Sequence, residues 1–591
     1  MVSPDGGWVA WSWSRLGPAA DIFAAPTDGS RPPLRLTQSA EGDTVVVSWA
    51  PDGRSVLVSE DRDGDERVRL FRIWLDEPGL MKPLTEPEPD YFLRGGELHP
   101  NGRWLVYDAN FDPETGGEIE QSCIYRQDLV TGEKMLLVRP ERTTGPSSMN
   151  RQGTHVLYSR NDLDPSGEQV WLVDIEGRED REILNFGARA KVTAAWLRDG
   201  RRVIFVAEAG SYRRLGVWDD GTVRWLIDDP ERNVGYAYAP PNGGPAVVVG
   251  TEQGRVRASL LDVETGVETP LEHTSGNLVP LAPWGDGRWV CTYYDSRHPV
   301  DLVLFGETDA EPSSITDLPR RMPPDLPRLV AAEDFRWRSV DGLEVQGWLY
   351  RTAGESVGTI VLIHGGPTSH AEDRFNAQIQ YLVSHGFDVL VPNYRGSTGF
   401  GLTFQESIKE DGWGGREQED IRCGIEALIE AGVSEPGRVG VTGTSYGGYS
   451  AWWAITHFSP QTVAAAVPIC GMTDLVVDYN ATRPDLRPYS EEMMGGSPEQ
   501  VPDIYRERSP IEFIHNIRGK LLIVQGLKDP NVTPDNVHVV TEVLHRENIP
   551  YDLLTFEDEG HGIARPENLR ILYPRLADFF QQAFHKPPRP N

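Results

Sequence analysis

Seven times in the first half of the chain, a turn built on a polar residue and glycine precedes a short strand-like run. The copies read "SPDGGWVAW", "APDGRSVLV", "HPNGRWLVY", "NRQGTHVLY", "LRDGRRVIF", "PPNGGPAVVV" and "WGDGRWVCTY". Their glycines are Gly6, Gly53, Gly102, Gly153, Gly200, Gly243 and Gly287, spaced 43 to 51 residues apart. A period of that length is one four-stranded blade. Between the marks lie second turns, "DLVTGE" at 128–133, "DIEG" at 174–177 and "DVETG" at 262–266. They supply the two strand pairs that a blade of four antiparallel strands requires. The spacing therefore predicts a seven-bladed β-propeller over residues 1–308, although the Gln152 and Asn242 copies are degenerate.

The stretch "DAEPSSITDLPRRMPPDLPRL" is rich in proline and has no apolar periodicity, so residues 309–329 read as a linker. Beyond it the pattern changes. "FRWRSVDGLEVQGWLY" predicts a hairpin turning at Asp341 and Gly342. After it "GTIVLIHGG", "FDVLVPNYRG", "RVGVTG", "AAAVPI", "KLLIVQG" and "YDLLTFED" are short apolar runs with helix-length segments between several of them. Residues 330–591 are therefore expected to form an α/β domain on a doubly wound, mostly parallel sheet. Ligands in such sheets gather at the carboxyl ends of the strands.

One of those runs leads into "GTSYGG", where Ser445 has Gly443 two residues before it and Gly447 two after. The G-x-S-x-G spacing is that of a nucleophile elbow, a sharp strand-to-helix turn that lifts a serine hydroxyl above the sheet. A side chain at either glycine would collide with the strained backbone or the neighbouring strand. The motif alone is common, and a nucleophilic serine also needs a base and an orienting acid. Downstream, "KLLIVQGLKDPNVTP" puts Asp529 just past a buried strand, and Asp535 farther into a helical stretch. "YDLLTFEDEGHGI" puts His561 beyond the next strand, between two glycines. His538, His545 and His585 lie in helical stretches and read as surface residues. The order Ser445, Asp529, His561 is the order of nucleophile, acid and histidine in an α/β hydrolase. The amide of Tyr446 would supply one oxyanion donor, and "IHGGP", with Gly365 and Gly366, lies where the second usually sits.

The formal charge of −32 and pI near 4.8 disfavour nucleic acid or an anionic membrane as the main partner. Cys123, Cys291, Cys423 and Cys470 are too scattered for a metal site and too few for a disulfide scaffold. No metal or cofactor is expected. There is no apolar run long enough for a membrane span and no signal-peptide pattern at Met1, so the expected location is cytoplasmic.

With "HGGP", "NYRGSTGFG", "GTSYGGY" and "DEGHG" in that order behind seven blade repeats, the chain resembles the prolyl oligopeptidase family of serine peptidases, and within it the acylaminoacyl peptidase branch. The resemblance implies that Ser445, Asp529 and His561 are catalytic and that the second oxyanion amide belongs to Gly366. Many members carry an arginine two residues after the acid to hold a substrate carbonyl, whereas this chain has Asn531. The proline-specific dipeptidyl peptidase branch also has asparagine there, which keeps Asn531 as a substrate-binding candidate. That branch's tryptophan-containing segment with paired glutamates, which binds a free amino terminus, is not found here, an argument against dipeptide release. Alignment on "EEMMGG" places Tyr489 at an aromatic of the pocket for the residue before the cut bond, a position equally suited to core packing.

Three functions compete on these grounds. The first is a serine peptidase acting on short peptides or on N-acylated or free N-terminal residues, with the propeller limiting substrate size. The second is an esterase or small-amide hydrolase using the same triad. The third is a binding protein in which the propeller is a scaffold and the hydrolase domain is inert. Homo-oligomer formation is left open by the sequence.

Overall fold

The structure is a computed structural model. It describes all residues except 14–18, 40–41, 62–64, 88, 90, 272–275, 307–311, 317, 319–321, 324–325 and 585–591. The chain divides into two compact units, the first comprising 1–252, 256–294 and 300–324, the second 253–255, 295–299 and 325–591.

The first unit holds seven antiparallel sheets in chain order, which are the seven blades of a β-propeller. Among the described residues six have four strands. The first has three, Trp8–Trp13, Asp21–Pro26 and Leu34–Arg35, and Val2 bridges Val9 where the other sheets have their first strand. All seven repeat glycines take positive φ, from 67° to 105°. L-residues rarely adopt that conformation, which is why glycine recurs. The polar residue before the glycine has its own task. Asp52, Asn101 and Asp199 each accept the amide two residues on, from Arg54, Arg103 and Arg201, all at 2.9 Å. Gln152 and Asn242, the degenerate copies, reach to the next blade instead, where they donate to the carbonyls of Asp199 and Pro283 at 2.8 Å. Neighbouring sheets bury apolar faces against each other, as where Leu57 and Leu70 of the second meet Leu105, Tyr107 and Tyr125 of the third.

Part of the 309–329 segment lies outside the described residues. Within the rest, Ser313–Ser314 pairs with Asp301–Phe305 as the outermost strand of the seventh sheet. Propeller structure thus runs past residue 308. A two-residue serine strand carries no apolar alternation, so sequence pattern could not reveal it.

In the second unit one eight-stranded sheet contains β1 (Glu333–Arg338), β2 (Glu344–Tyr350), β3 (Gly358–Ile363), β4 (Phe387–Asn393), β5 (Val439–Thr444), β6 (Ala465–Ile469), β7 (Lys520–Gly526) and β8 (Asp552–Phe556). Its order is β1-β2-β4-β3-β5-β6-β7-β8. The β1–β2 hairpin and the β2–β4 pairing are antiparallel and the remaining five pairings parallel. Gly342 turns the hairpin at φ 84°. Five of the helices are α1 (Ala377–Ser384), α2 (Arg416–Glu430), α3 (Tyr446–His457), α4 (Asp535–Arg546) and α5 (Pro566–Phe584). One apolar cluster joins the sheet to α2, α3 and α4, and a second joins it to α1 and α5, so both faces are covered. Strands buried on both sides read as unbroken apolar runs, the pattern seen in the Ile360–Ile363 part of β3 and the Leu521–Val524 part of β7. This is the α/β-hydrolase arrangement. Among the described residues no helix is long and apolar enough to cross a membrane.

Candidate active site

Ser445 sits between the end of β5 and the start of α3 with φ 63° and ψ −123°, a strained conformation for a residue with a side chain. Glycine is forced on both sides. A Cβ on Gly443 would stand 2.4 Å from the Ile363 carbonyl oxygen of β3, and one on Gly447 would stand 2.0 Å from that same oxygen. The fence continues past the motif: a Cβ on Gly448 would meet the Ile469 oxygen of β6 at 2.6 Å. The serine amide donates to that Ile469 oxygen at 3.1 Å. The elbow is therefore wedged between the two strands that flank β5.

Asp529 follows β7 and its side chain is fully buried, with Oδ1 accepting the amides of Asn531 at 2.8 Å and Val532 at 3.0 Å. His561 lies in the loop after β8, and its Nδ1 donates to Asp529 at 3.0 Å (Oδ1) and 2.9 Å (Oδ2). Residues 32 positions apart thus meet at the carboxyl ends of adjacent strands. The donated Nδ1 proton fixes the tautomer that leaves Nε2 as the basic nitrogen. The loop is tight because Gly562 takes φ 117° and its amide bonds the Gly560 carbonyl. His538 and His545 lie on α4, and Asp535 begins that helix. His585 lies outside the described residues.

The "HGGP" loop leaves β3 beside the elbow. A Cβ on Gly365 would stand 3.4 Å from the Ser445 Cβ and 4.0 Å from its Oγ, so this backbone passes the serine closely. Gly366 follows at φ 118° and is exposed. The loop is held from several directions. His364 shares a hydrogen bond with Ser397 through Nε2 at 2.9 Å and stacks on Tyr394 at 4.4 Å, and burial pushes its pKa down to about 4, so it stays neutral. The Thr398 amide donates to the Ser369 carbonyl at 2.9 Å. The hydroxyl of Tyr489 accepts the Thr368 amide at 3.1 Å and bonds its hydroxyl at 2.9 Å. Tyr489 is half-buried and its ring meets Trp413. It therefore braces the loop that carries Gly366. Asn531 braces the acid through its backbone amide.

Four buried groups close to these residues escaped sequence reasoning. Glu559 is buried and accepts the amides of Ala564 (3.2 Å) and Arg565 (2.9 Å), spanning His561 like a clasp. Cys470 has φ 46° and a thiol that burial pushes up to about 12. Asp478 bonds Asn536 at 3.1 Å, and burial raises its carboxyl to about 7. Glu417, at the start of α2, is fully buried, accepts the Tyr446 hydroxyl at 2.9 Å, and is raised by burial to about 7. The Asp478–Asn536 and Glu417–Tyr446 bonds span 58 and 29 residues, too many to leave a local pattern, and Glu417 reads as an ordinary acidic residue in a helix's first turn. Among the described residues no group of three or more histidines, cysteines or carboxylates is arranged to hold a metal.

Residues 373–587 match the prolyl oligopeptidase family. The chain is 25% identical to "Dipeptidyl aminopeptidase BIII" of Pseudoxanthomonas mexicana, over 96% of this chain and 84% of that protein. It is 28% identical to "Acylamino-acid-releasing enzyme" of Arabidopsis thaliana, over 38% of this chain and 30% of that one. A solved structure of a Mycobacterium tuberculosis puromycin-hydrolyzing peptidase superposes with a TM-score of 0.81 at 22% identity, covering 99% of this chain and 94% of that one. At that identity the superposition speaks for the fold.

Proposed function

We propose that this chain, a serine peptidase whose catalytic domain belongs to the prolyl oligopeptidase family, hydrolyses short peptides and N-acylated or free N-terminal aminoacyl peptides through an acyl-enzyme on Ser445. The observation that carries this reading is the paired contact of His561 Nδ1 with both oxygens of Asp529, with Ser445 on a strained elbow between two strands of the same sheet. In the assigned mechanism His561 takes the serine proton during attack on the carbonyl and returns it to the leaving amine. Buried Asp529 stabilises the imidazolium that forms, without itself taking the proton. The amides of Tyr446 and Gly366 receive the oxyanion, each donor contributing about 10²–10³ in rate. Water then attacks the acyl-enzyme by the same proton path. The propeller is assigned the exclusion of folded chains, as the family resemblance of the sequence implies.

A serine-reactive phosphonate should label the protein at Ser445. Absence of that label would overturn the catalytic assignment and leave the scaffold reading. Substrate class is tested with one peptide sequence presented N-acetylated, free, and embedded in a longer chain, with products identified by mass spectrometry. Release of the acetylated first residue is the expected result; cleavage confined to the embedded form would replace it with oligopeptidase action. Dipeptide release is the second reading, favoured by the name of the relative from Pseudoxanthomonas mexicana, and it would appear as loss of two residues from the free peptide. Faster turnover of a matched ester with no peptide cleavage would establish the esterase.

A further inference from the structure

The amide assigned to the oxyanion belongs to Tyr446, whose side chain is buried to 1% exposure. Its ring is packed by Trp413 at 5.7 Å, Tyr394 at 6.0 Å and Tyr449 at 5.2 Å. Its hydroxyl ends on Glu417 Oε1 at 2.9 Å. That oxygen also receives the amides of Gly414 (2.6 Å) and Gly415 (3.1 Å) and the side chain of Gln418 (3.1 Å). Oε2 of the same carboxyl is buried with no hydrogen-bond partner among the described residues. Burying a carboxyl half-satisfied and without a cation is costly, and such costs persist where function requires them.

The mechanical consequence lies at the elbow. Tyr446 follows directly on the strained Ser445, and strain of this kind persists only where the surroundings over-determine it. A tyrosine has two side-chain torsions, so fixing its ring and hydroxyl fixes its Cα and the direction of its amide. We infer that Glu417 is a positioning residue for oxyanion stabilisation: it anchors the Tyr446 side chain from behind and thereby aims the Tyr446 amide at the developing oxyanion. This inference rests on the Ser445 mechanism proposed above.

The test uses the full chain with Glu417→Ala, Glu417→Gln, Tyr446→Phe and the Glu417→Ala/Tyr446→Phe double variant, on whichever of the three peptide forms the wild type cleaves fastest. Phosphonate labelling is run alongside. The amide oxygen of glutamine can still accept the tyrosine hydroxyl and the two glycine amides, so Glu417→Gln is expected to stay within about threefold of wild type. Glu417→Ala and Tyr446→Phe are each expected to lower kcat about 10- to 100-fold, the scale of a misaimed oxyanion donor. KM should stay within about twofold, because the amide acts in the transition state. The double variant should be no worse than the poorer single variant, since both remove one tether. Tyr446→Phe removes a single oxygen atom and Glu417→Gln keeps the acceptor, so the pair carries the test even where alanine at 417 impairs folding. Unchanged kcat in Tyr446→Phe, effects that multiply in the double variant, or a rise in KM alone would overturn the inference while Ser445 still labels. Loss of labelling in the wild type would instead bring down the mechanism beneath it.

Discussion

At the scale of single residues, the contact between His561 and Asp529 sets the clearest expectation. Ser445→Ala should lower turnover about 10⁶-fold and Asp529→Asn about 10⁴-fold, because the members of such a triad act as one unit. Steady-state assay of both variants checks this, and near-native turnover in either would remove that residue from the mechanism. Ser445, Asp529 and His561 stand out in the sequence as candidates because each lies at a strand end beside glycines or turn residues, where local pattern and chemistry coincide. Tyr489 could be placed only by alignment on "EEMMGG". Its bond to Thr368 spans 121 residues, and nothing in the octapeptide around it announces a hydroxyl aimed at the loop after Gly366. Glu417 was illegible for the same reason: its bond to the Tyr446 hydroxyl spans 29 residues and exists only once the sheet is assembled.

At the scale of elements, the elbow depends on the empty space at its glycines. Gly447→Ala would press a methyl group into the Ile363 carbonyl, which immediately precedes His364 and the loop carrying Gly366. The clash is with backbone at 2.0 Å, so strand β3 or helix α3 must shift. We expect a stability loss of about 1–3 kcal/mol, seen in chemical unfolding, together with loss of phosphonate labelling in whatever protein folds. An alanine variant that labels at the wild-type rate would show that the elbow tolerates a wider turn than its geometry allows. Propeller turns illustrate the opposite case of full legibility. A left-handed glycine with an amide-capping Asp or Asn before it is a local device, so it recurs visibly in sequence. The two copies that looked degenerate are those where Gln152 and Asn242 have left that local task to bond the next blade. The outermost strand at Ser313–Ser314 stayed hidden because two exposed serines carry no pattern.

At the scale of the whole molecule, buried carboxyls make stability depend on pH in a direction that the acidic composition alone does not reveal. Burial raises Asp108 in the propeller, and Glu417 and Asp478 in the hydrolase domain, each to about 7. In an unfolded chain such groups titrate near ~4. Between those values the native state holds protons that the unfolded state has released. Their contribution is therefore fully present below ~4 and is lost as pH rises through about 7, by up to about 1.4 kcal/mol per pH unit for each group. Asp341 runs the other way. Its hydrogen bonds from Arg395 lower it to about 2, so its contribution is present above ~4 and disappears as the pH falls through about 2. The two effects bracket an optimum on the acid side of neutrality. Tm measured by calorimetry should be highest near pH ~4 and fall toward pH ~7, where the loss levels off. Asp108→Asn should flatten part of that slope, because an amide of the same shape has no proton to lose. It retains an oxygen that can accept the Ser147 hydroxyl, which lies 2.7 Å from Asp108 in the native protein. A Tm that climbs between these pH values, or a slope unchanged in Asp108→Asn, would mean that these carboxyls are ionised in the native protein and held by partners stronger than the hydrogen bonds seen around them.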